Sequence, residues 1–128
     1  MNFLLDTQTF VWFVMGNARL PKKWRALIEH LLSVSYLSIA SLWELAIKEG
    51  TGKLHLDVTF PELIEWHVLG SGFTILPVSI NHLLELRKLP LHHRDPFDRI
   101  IIAQGIVENL TVVTTDPEFE KYPVRLIR

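Results

Sequence analysis

The 128 residues suffice for one domain, and the balance of 48% apolar to 21% charged residues predicts a folded globule and excludes intrinsic disorder. The absence of cysteine excludes disulfides, thiolate metal sites and cysteine nucleophiles, and it suits a cytoplasmic protein. The first six residues carry no basic region, so we expect no signal peptide. A net charge of −1 lacks the basic excess that is common among nucleic-acid-binding proteins.

Short apolar runs alternate with longer amphipathic runs, which is typical of an α/β domain with a mainly parallel sheet. In the first half of the chain we expect a strand at 3–5, helices at 9–14 and 21–34, a strand at 36–39, a helix that runs through Lys48 and stops near Gly50 and Gly52, and an amphipathic segment at 61–69. In the second half we expect a strand at 73–78, helices at 79–88 and 96–108, a strand at 111–114 and an edge strand at 124–127. We see no repeat, low-complexity tract or linker, so residues 1–128 are predicted to form a single three-layer α/β/α domain.

Several acidic residues stand where the predicted strands end. Asp6 directly follows the first strand, Glu44 lies one turn into the helix after the second, and Asp116 follows the fourth by two residues. Ligands of open parallel sheets bind outside the carboxyl ends of the strands. Asp95 and Asp98 begin the helix that leads to the fourth strand, and Asp98 joins the group only if that helix starts near the same edge.

Carboxylates that cluster repel one another, and a divalent cation relieves the repulsion. Oxygen ligands without cysteine favour Mg²⁺ or Mn²⁺ over zinc. Carboxylates and waters around one or two such ions are what phosphodiester hydrolysis requires. The acids therefore predict a metal-dependent hydrolase.

Each acid also has a structural interpretation, because acids and hydroxyls are preferred at helix N-termini. The candidate caps are Asp6, Ser41 paired with Glu44, Asp95 paired with Asp98, and Asp116. Taken together, the acids that leave strands at one edge of the sheet favour a shared site over a set of independent caps.

At these residues the chain resembles the PIN-domain nucleases and, within them, the VapC-type toxins of bacterial toxin–antitoxin pairs. The matching blocks are 4–7 (LLDT), 38–48 (SIASLWELAIK), 89–99 (LPLHHRDPFDR) and 112–116 (VVTTD). The resemblance implies a PIN fold and an endoribonuclease that uses Mg²⁺ or Mn²⁺. It also implies a homodimer and a small antitoxin whose tail lies across the acidic pocket. The positions that match the family's catalytic and metal-binding acids are Asp6, Glu44, Asp98 and Asp116.

Six further positions are expected to support the site or contact the substrate: Thr7, His93, Arg94, Asp95, Arg99 and Thr115. Thr115 matches a small hydroxyl residue beside the last acid, and Asp95 is expected to cap a helix or to support the acids from outside the metal site. The loop with His93 and Arg94 is interpreted either as a contact for phosphate or antitoxin or as a solvated loop. The chain departs from many relatives at Gln8, where they carry histidine.

Other readings of the pattern are less consistent with the sequence. A receiver-like signalling domain would carry an acid after the third strand and a lysine after the last, but 74–79 lacks the acid and 124–127 lacks the lysine. A haloacid-dehalogenase-like phosphatase would carry a second aspartate where Gln8 stands. A catalytically inactive PIN-like module that only binds a partner remains open, and a metal-dependent cleavage assay would distinguish it.

Overall fold

The computed structural model describes residues 1–127, and within them the chain forms four strands and six α-helices. The strands are β1 (Asn2–Leu5), β2 (Val34–Ser38), β3 (Thr74–Leu76) and β4 (Thr111–Val113). The helices are α1 (Thr7–Met15), α2 (Lys22–Glu29), α3 (Ile39–Gly50), α4 (Phe60–Glu62), α5 (Ile80–Leu86) and α6 (Pro96–Glu108). α4 continues into a π-helical segment, Leu63–Leu69, and a short 3-10 helix, Pro117–Lys121, follows β4. No helix among these residues is long and apolar enough to cross a bilayer.

The strands are parallel and lie in the order β3-β2-β1-β4. Leu5 is level with Leu37 of β2 on one side and with Val113 of β4 on the other. The chain moves outward from β1 through β2 to β3 and then returns to the opposite side of β1. The carboxyl ends of β1 and β4 therefore flank the point where the strand order reverses, which is where open α/β sheets bind ligands.

The sheet separates two apolar cores. Because successive side chains of a strand point to opposite faces, Phe3 and Leu5 belong to a core shared with α1 to α4, whereas Leu4 belongs to a core shared with α6. Three consecutive isoleucines of α6, at 100–102, pack in the second core. This arrangement confirms the predicted three-layer α/β/α fold.

Helix α6 begins and ends where the sequence predicts. Asp95 caps its N-terminus, Pro96 occupies the first turn, and Asn109 ends it in a left-handed conformation with φ 56°. Its one glycine is required by close packing, because a Cβ on Gly105 would lie 2.8 Å from a methyl group of Val112.

The predicted helix at 21–34 is wrong from residue 30 onward, since α2 ends at Glu29 and β2 already begins at Val34. Leu31 and Leu32, which extend the helical apolar spacing, are 97% and 81% exposed. The backbone turns at 30–33 so that Val34 can donate to the Met1 carbonyl and start pairing with β1. Tertiary pairing here overrides local periodicity.

Other boundaries shift by a few residues. α1 is longer than the predicted 9–14, β2 ends one residue before the predicted 36–39, and β3 is shorter than 73–78. The amphipathic segment predicted at 61–69 is helical and mostly π-helical, and a reciprocal capping box between Thr59 and Glu62 precedes it. The predicted edge strand at 124–127 is reduced to one parallel bridge, between Val112 and Leu126.

Candidate metal centre

Asp6 lies at the switch point and caps α1. Its Oδ1 accepts the backbone N–H of Thr9 at 2.8 Å, and its Oδ2 accepts the Thr114 hydroxyl at 2.6 Å. Thr114 directly follows β4, so this second bond joins the ends of the two strands that flank the switch point. The predicted cap and the predicted site residue are therefore the same buried side chain.

Asp116 is held beside Asp6 by the same hydroxyl. The backbone N–H of Asp116 donates to Thr114 Oγ1 at 3.0 Å, and Asp116 Oδ1 caps the following 3-10 helix by accepting the Glu118 N–H at 2.9 Å. The resemblance to the PIN-domain nucleases implied Thr115 as the hydroxyl beside the last acid. In the structure Thr114 makes these contacts, whereas Thr115 lines the adjoining cavity.

Glu44 projects from the second turn of α3 and does not cap it. The predicted capping box of Ser41 and Glu44 is wrong, because the N-cap is Ser38, whose hydroxyl accepts the Ala40 N–H at 3.0 Å. Glu44 Oε2 instead lies 2.8 Å from Lys48 Nζ. Its Oε1 is buried and has no hydrogen-bond partner among the described residues. A buried carboxylate oxygen without a partner is costly, so a cation or water is expected there.

The Asp98 carboxylate does not take part in capping α6, because His93 occupies the position that it would fill. Asp95 accepts the N–H groups of Phe97 at 2.8 Å and of Asp98 at 3.2 Å, as a cap should. In a capping box the Asp98 carboxylate would return to the Asp95 N–H, but that N–H donates to His93 Nδ1 at 3.1 Å. The Asp98 carboxylate instead faces His93 Nε2 at 3.1 Å, and the same nitrogen lies 2.9 Å from Asp116 Oδ2.

All four acids line one cavity of about 430 Å³ outside the carboxyl ends of the strands. The placement of Asp98, which depended on where α6 begins, is thereby given by the structure. The other polar residues that line the cavity are Thr7, Gln8, Lys48, Lys53, His55 and Thr115. Acidic side chains and a basic stretch of the chain thus share one cleft.

The burial of the acids and the proximity of their charges disfavour the ionised carboxylates. Burial raises the pKa of Asp6, and the charge of Asp116 adds to the effect, although donors from Thr114 and Thr9 oppose it. Burial, followed by the charges of Asp95 and Asp6, raises the pKa of Asp98 to about 7. A carboxyl group with such a pKa is partly protonated at neutral pH, and a cation would displace the proton.

The remaining predicted positions are placed differently. Thr7 lines the cavity and donates to Ser41 Oγ at 2.9 Å, whereas Asp95 caps α6 without lining the cavity. Arg94 is exposed and makes no hydrogen bond or ion pair within residues 1–127. The Arg99 guanidinium is directed away from the cavity, toward the Tyr122 hydroxyl and the carbonyls of Leu86, Leu89, Pro90 and His93.

Several residues of the site were missed by the sequence pattern. Lys48 could have been found, since it stands four residues after Glu44 on the same helix face. Thr114 stands beside the predicted Thr115, but the sequence alone does not tell which hydroxyl faces Asp6. Lys53 and His55 lie in an irregular segment that carries no periodic signal.

The donor set fits a divalent cation. One carboxylate oxygen each from Asp98 and Asp116 lie within 4.8 Å of one another and of His93 Nε2, and Glu44, whose Oε1 is an unpaired buried acceptor, lines the same cavity as the two aspartates. With several carboxylates and no cysteine, the set favours a hard ion such as Mg²⁺ or Mn²⁺.

The fold has counterparts among known proteins. A family model of the PIN domain matches residues 3–124. The structure is similar to VapBC2 from Rickettsia felis bound to a DNA fragment from their promoter, with a TM-score of 0.74 and 19% identity, covering 99% of this chain and 98% of that chain. It is also similar to FitAcB from Neisseria gonorrhoeae, with a TM-score of 0.71 and 23% identity, covering 98% and 96%. A third structure, FitAB bound to an IR36 DNA fragment, has a TM-score of 0.70 and 21% identity over 98% and 93%. At these identities the likeness concerns the fold, and no curated protein sequence matches significantly.

Proposed function

This chain belongs to the PIN-domain family, a family of nucleases, and from that premise we propose that it is a metal-dependent endoribonuclease of the VapC type, the toxin of a toxin–antitoxin pair. The observation that carries the proposal is the convergence of four carboxylates on one cavity at the switch point of the sheet. The residues that would hold Mg²⁺ or Mn²⁺ and serve catalysis are Asp6, Glu44, Asp98 and Asp116.

A bound ion supplies Lewis-acid chemistry at a phosphate group. The chain's own residues prepare the cavity for that ion. Donors from Thr9 and Thr114 fix both oxygens of Asp6, so this carboxylate cannot rotate away from the cavity. Lys48 holds Oε2 of Glu44 and leaves Oε1 without a partner. The raised pKa of Asp98 keeps one carboxyl group able to hold a proton near neutral pH until an ion enters.

A nucleic-acid substrate, which we propose to be RNA, is supported by the basic side chains that share the cavity. Lys48, Lys53 and His55 line it together with the acids, although the net charge of the chain is −1. Cations beside a metal site attract the phosphate backbone of a nucleic acid, and their contribution falls as the salt concentration rises. The basic side chains in the cavity therefore bear more directly on substrate binding than the net charge of the whole chain does.

Protein partners are supported by an exposed apolar groove between α3, α5 and α6. It is lined in part by Ile39, Trp43 and Leu83, and Trp43 is 63% exposed. Exposed apolar patches of this kind mark protein interfaces. We propose a homodimer in the cytoplasm, together with an antitoxin whose tail brings a basic side chain to the acidic cavity, where the pairing would be strong because water is partly excluded.

The proposal is tested by Asp6→Asn, which removes a charge at nearly constant volume and keeps a residue that caps helices well. Purified wild-type protein should cleave a mixed-sequence single-stranded RNA when Mg²⁺ or Mn²⁺ is present and should not when EDTA is added. Asp6→Asn should be inactive, whereas the control Asp57→Asn, at an exposed acid outside the cavity, should retain full activity.

Two results would contradict parts of this proposal. Equal cleavage by Asp6→Asn and wild type would remove this residue from the site. Metal binding by the wild-type protein without cleavage of RNA or of DNA of the same sequence would favour an inactive partner-binding module.

The proposed antitoxin is tested separately. An antitoxin that lacks its tail should inhibit cleavage less than the full-length form. A strictly monomeric protein that cleaves RNA in the presence of any co-expressed neighbour would indicate a stand-alone nuclease.

A further inference from the structure

The loop formed by 86–93, which begins at the last residue of α5, is held in place by two side chains from other elements. Arg99 donates to four carbonyl groups of the loop, as described above. The Tyr122 hydroxyl accepts the N–H groups of His92 at 3.0 Å and His93 at 2.8 Å, and it donates to the Pro90 carbonyl at 2.8 Å. The backbone that carries His93 is therefore fixed on both its donor and its acceptor sides.

The imidazole of His93 is fixed as well. Its ring contacts Phe119 edge-on, with a distance of 6.0 Å between centroids. Nδ1 accepts the Asp95 N–H, so in the neutral ring the proton resides on Nε2. That single N–H faces the Oδ2 atoms of both Asp98 and Asp116. The N–H donor of His93 thus bridges two carboxylates that would otherwise repel each other.

We propose that His93 is a positioning residue whose Nε2–H holds the carboxylates of Asp98 and Asp116 together for a divalent ion while the ring itself stays outside the ion's coordination. The inference rests on the proposed metal site. A ligating Nε2 would have to lose its proton, and transfer of that proton to Nδ1 would oppose two donors, because the Asp95 N–H already faces Nδ1. Arg99 and Tyr122 contribute indirectly, because they hold the loop that carries His93.

The tautomer is the first test and needs no catalysis. Long-range ¹H–¹⁵N spectra of the full chain should show His93 protonated on Nε2 in the metal-free protein, and this should persist when Mg²⁺ is added. A His93 ring protonated on Nδ1 in the Mg²⁺-loaded protein would make it a ligand and overturn the inference.

The second test measures Mn²⁺ affinity by electron paramagnetic resonance in two variants. His93→Ala should weaken binding roughly tenfold, the usual effect of removing a group that orients a ligand. His93→Gln, whose amide can donate to both carboxylates, should recover affinity to within about threefold of wild type. The control is His92→Ala, because His92 is the exposed neighbour and makes no contact with the acids.

The outcomes separate this inference from the proposed function. Wild-type Mn²⁺ affinity in His93→Ala would overturn the inference alone, as would equal defects in folded His93→Ala and His93→Gln. Absence of Mn²⁺ binding by the wild-type protein would overturn the metal site and the inference together. A nitrogen coupled directly to bound Mn²⁺ in pulsed spectra, lost in His93→Gln, would assign His93 as a ligand instead.

Discussion

Two histidines of this chain make nearly the same hydrogen bonds at opposite ends of α6. His82 Nδ1 accepts the Ser79 N–H at 2.9 Å, and its Nε2 lies 2.7 Å from Glu108. His93 Nδ1 accepts the Asp95 N–H, and its Nε2 faces two aspartates. In each case a backbone N–H sets the tautomer, so the imidazole presents an N–H donor to carboxylate.

The difference lies in the carboxylates. Glu108 is a single carboxylate whose side chain is 41% exposed, so water already solvates it. His82, whose side chain is 1% exposed, completes the packing of α5 against α6. Asp98 and Asp116 are a half-buried pair of like charges, so the donor between them affects whether a cation can bind. Asp98 and Glu108 are about 15 Å apart along the helix axis. The same imidazole arrangement thus stabilises the fold at one end and the site at the other.

The largest expected difference between the two ends is in activity. Asp98→Asn should reduce metal-dependent RNA cleavage to background, because it removes a carboxylate from the cavity. Glu108→Gln, the matched change at the remote end, should leave cleavage unchanged. Initial rates at saturating Mg²⁺ measure both, and comparable losses in the two variants would break the distinction between the ends.

The pH dependence of stability should differ next. The pKa of Asp98 is raised to about 7 from an ordinary 3.8, so the metal-free folded state binds the proton more tightly than the unfolded state. Its contribution is therefore fully present at acid pH and is lost as the pH rises from about 4 through about 7, and Asp6 acts in the same direction. Urea unfolding of the metal-free protein should therefore show that its free energy of unfolding decreases by a few kcal/mol over this pH range.

Asp98→Asn isolates this contribution. The variant should lose stability less steeply over the same pH range, since an amide does not titrate, and Mg²⁺ should stabilise it less than it stabilises the wild type near pH 7.5. Identical slopes in the two proteins would mean that Asp98 does not carry the effect.

His82→Ala should reduce stability by about 2–3 kcal/mol, because it deletes a buried ring and leaves the Ser79 N–H without its acceptor. Cleavage per folded molecule should remain at the wild-type level. Urea unfolding and rate measurements on the same preparation check both parts. Glu108→Gln keeps an acceptor for Nε2 and should cost less than about 1 kcal/mol, and a larger loss than in His82→Ala would contradict this account.

The smallest effect is expected from the basic lining of the cavity. Lys53→Gln should raise the KM for RNA several-fold with little change in kcat, and it should reduce the slope of log affinity against log salt by about one. Lys22→Gln, an exposed lysine of α2 outside the cavity, is the control. An unchanged salt slope would remove Lys53 from the RNA contact.

Much of the fold and part of the site were predictable because they depend on local chemistry. The alternation of apolar runs indicated a parallel α/β sheet, and Asp95 with Pro96 marked the start of α6 to the residue. The caps at Asp6 and Asp116 are bonds to N–H groups two or three residues away, which a sequence pattern displays directly. Because the carboxyl ends of parallel strands lie at one edge of the sheet, the positions of these caps also indicated that the acids lie in one site.

Tertiary structure alone decided the contacts between distant residues. The Asp6–Thr114 bond spans 108 positions, and the Tyr122 hydroxyl reaches a loop 29 to 32 positions away, so no local pattern distinguishes Thr114 from Thr115 or directs Arg99 to that loop. The end of α2 was set in the same way, by pairing of Val34 with β1. Local hydrogen bonds follow from residue type and spacing, whereas the direction in which His93 points depends on groups that only the folded chain brings together.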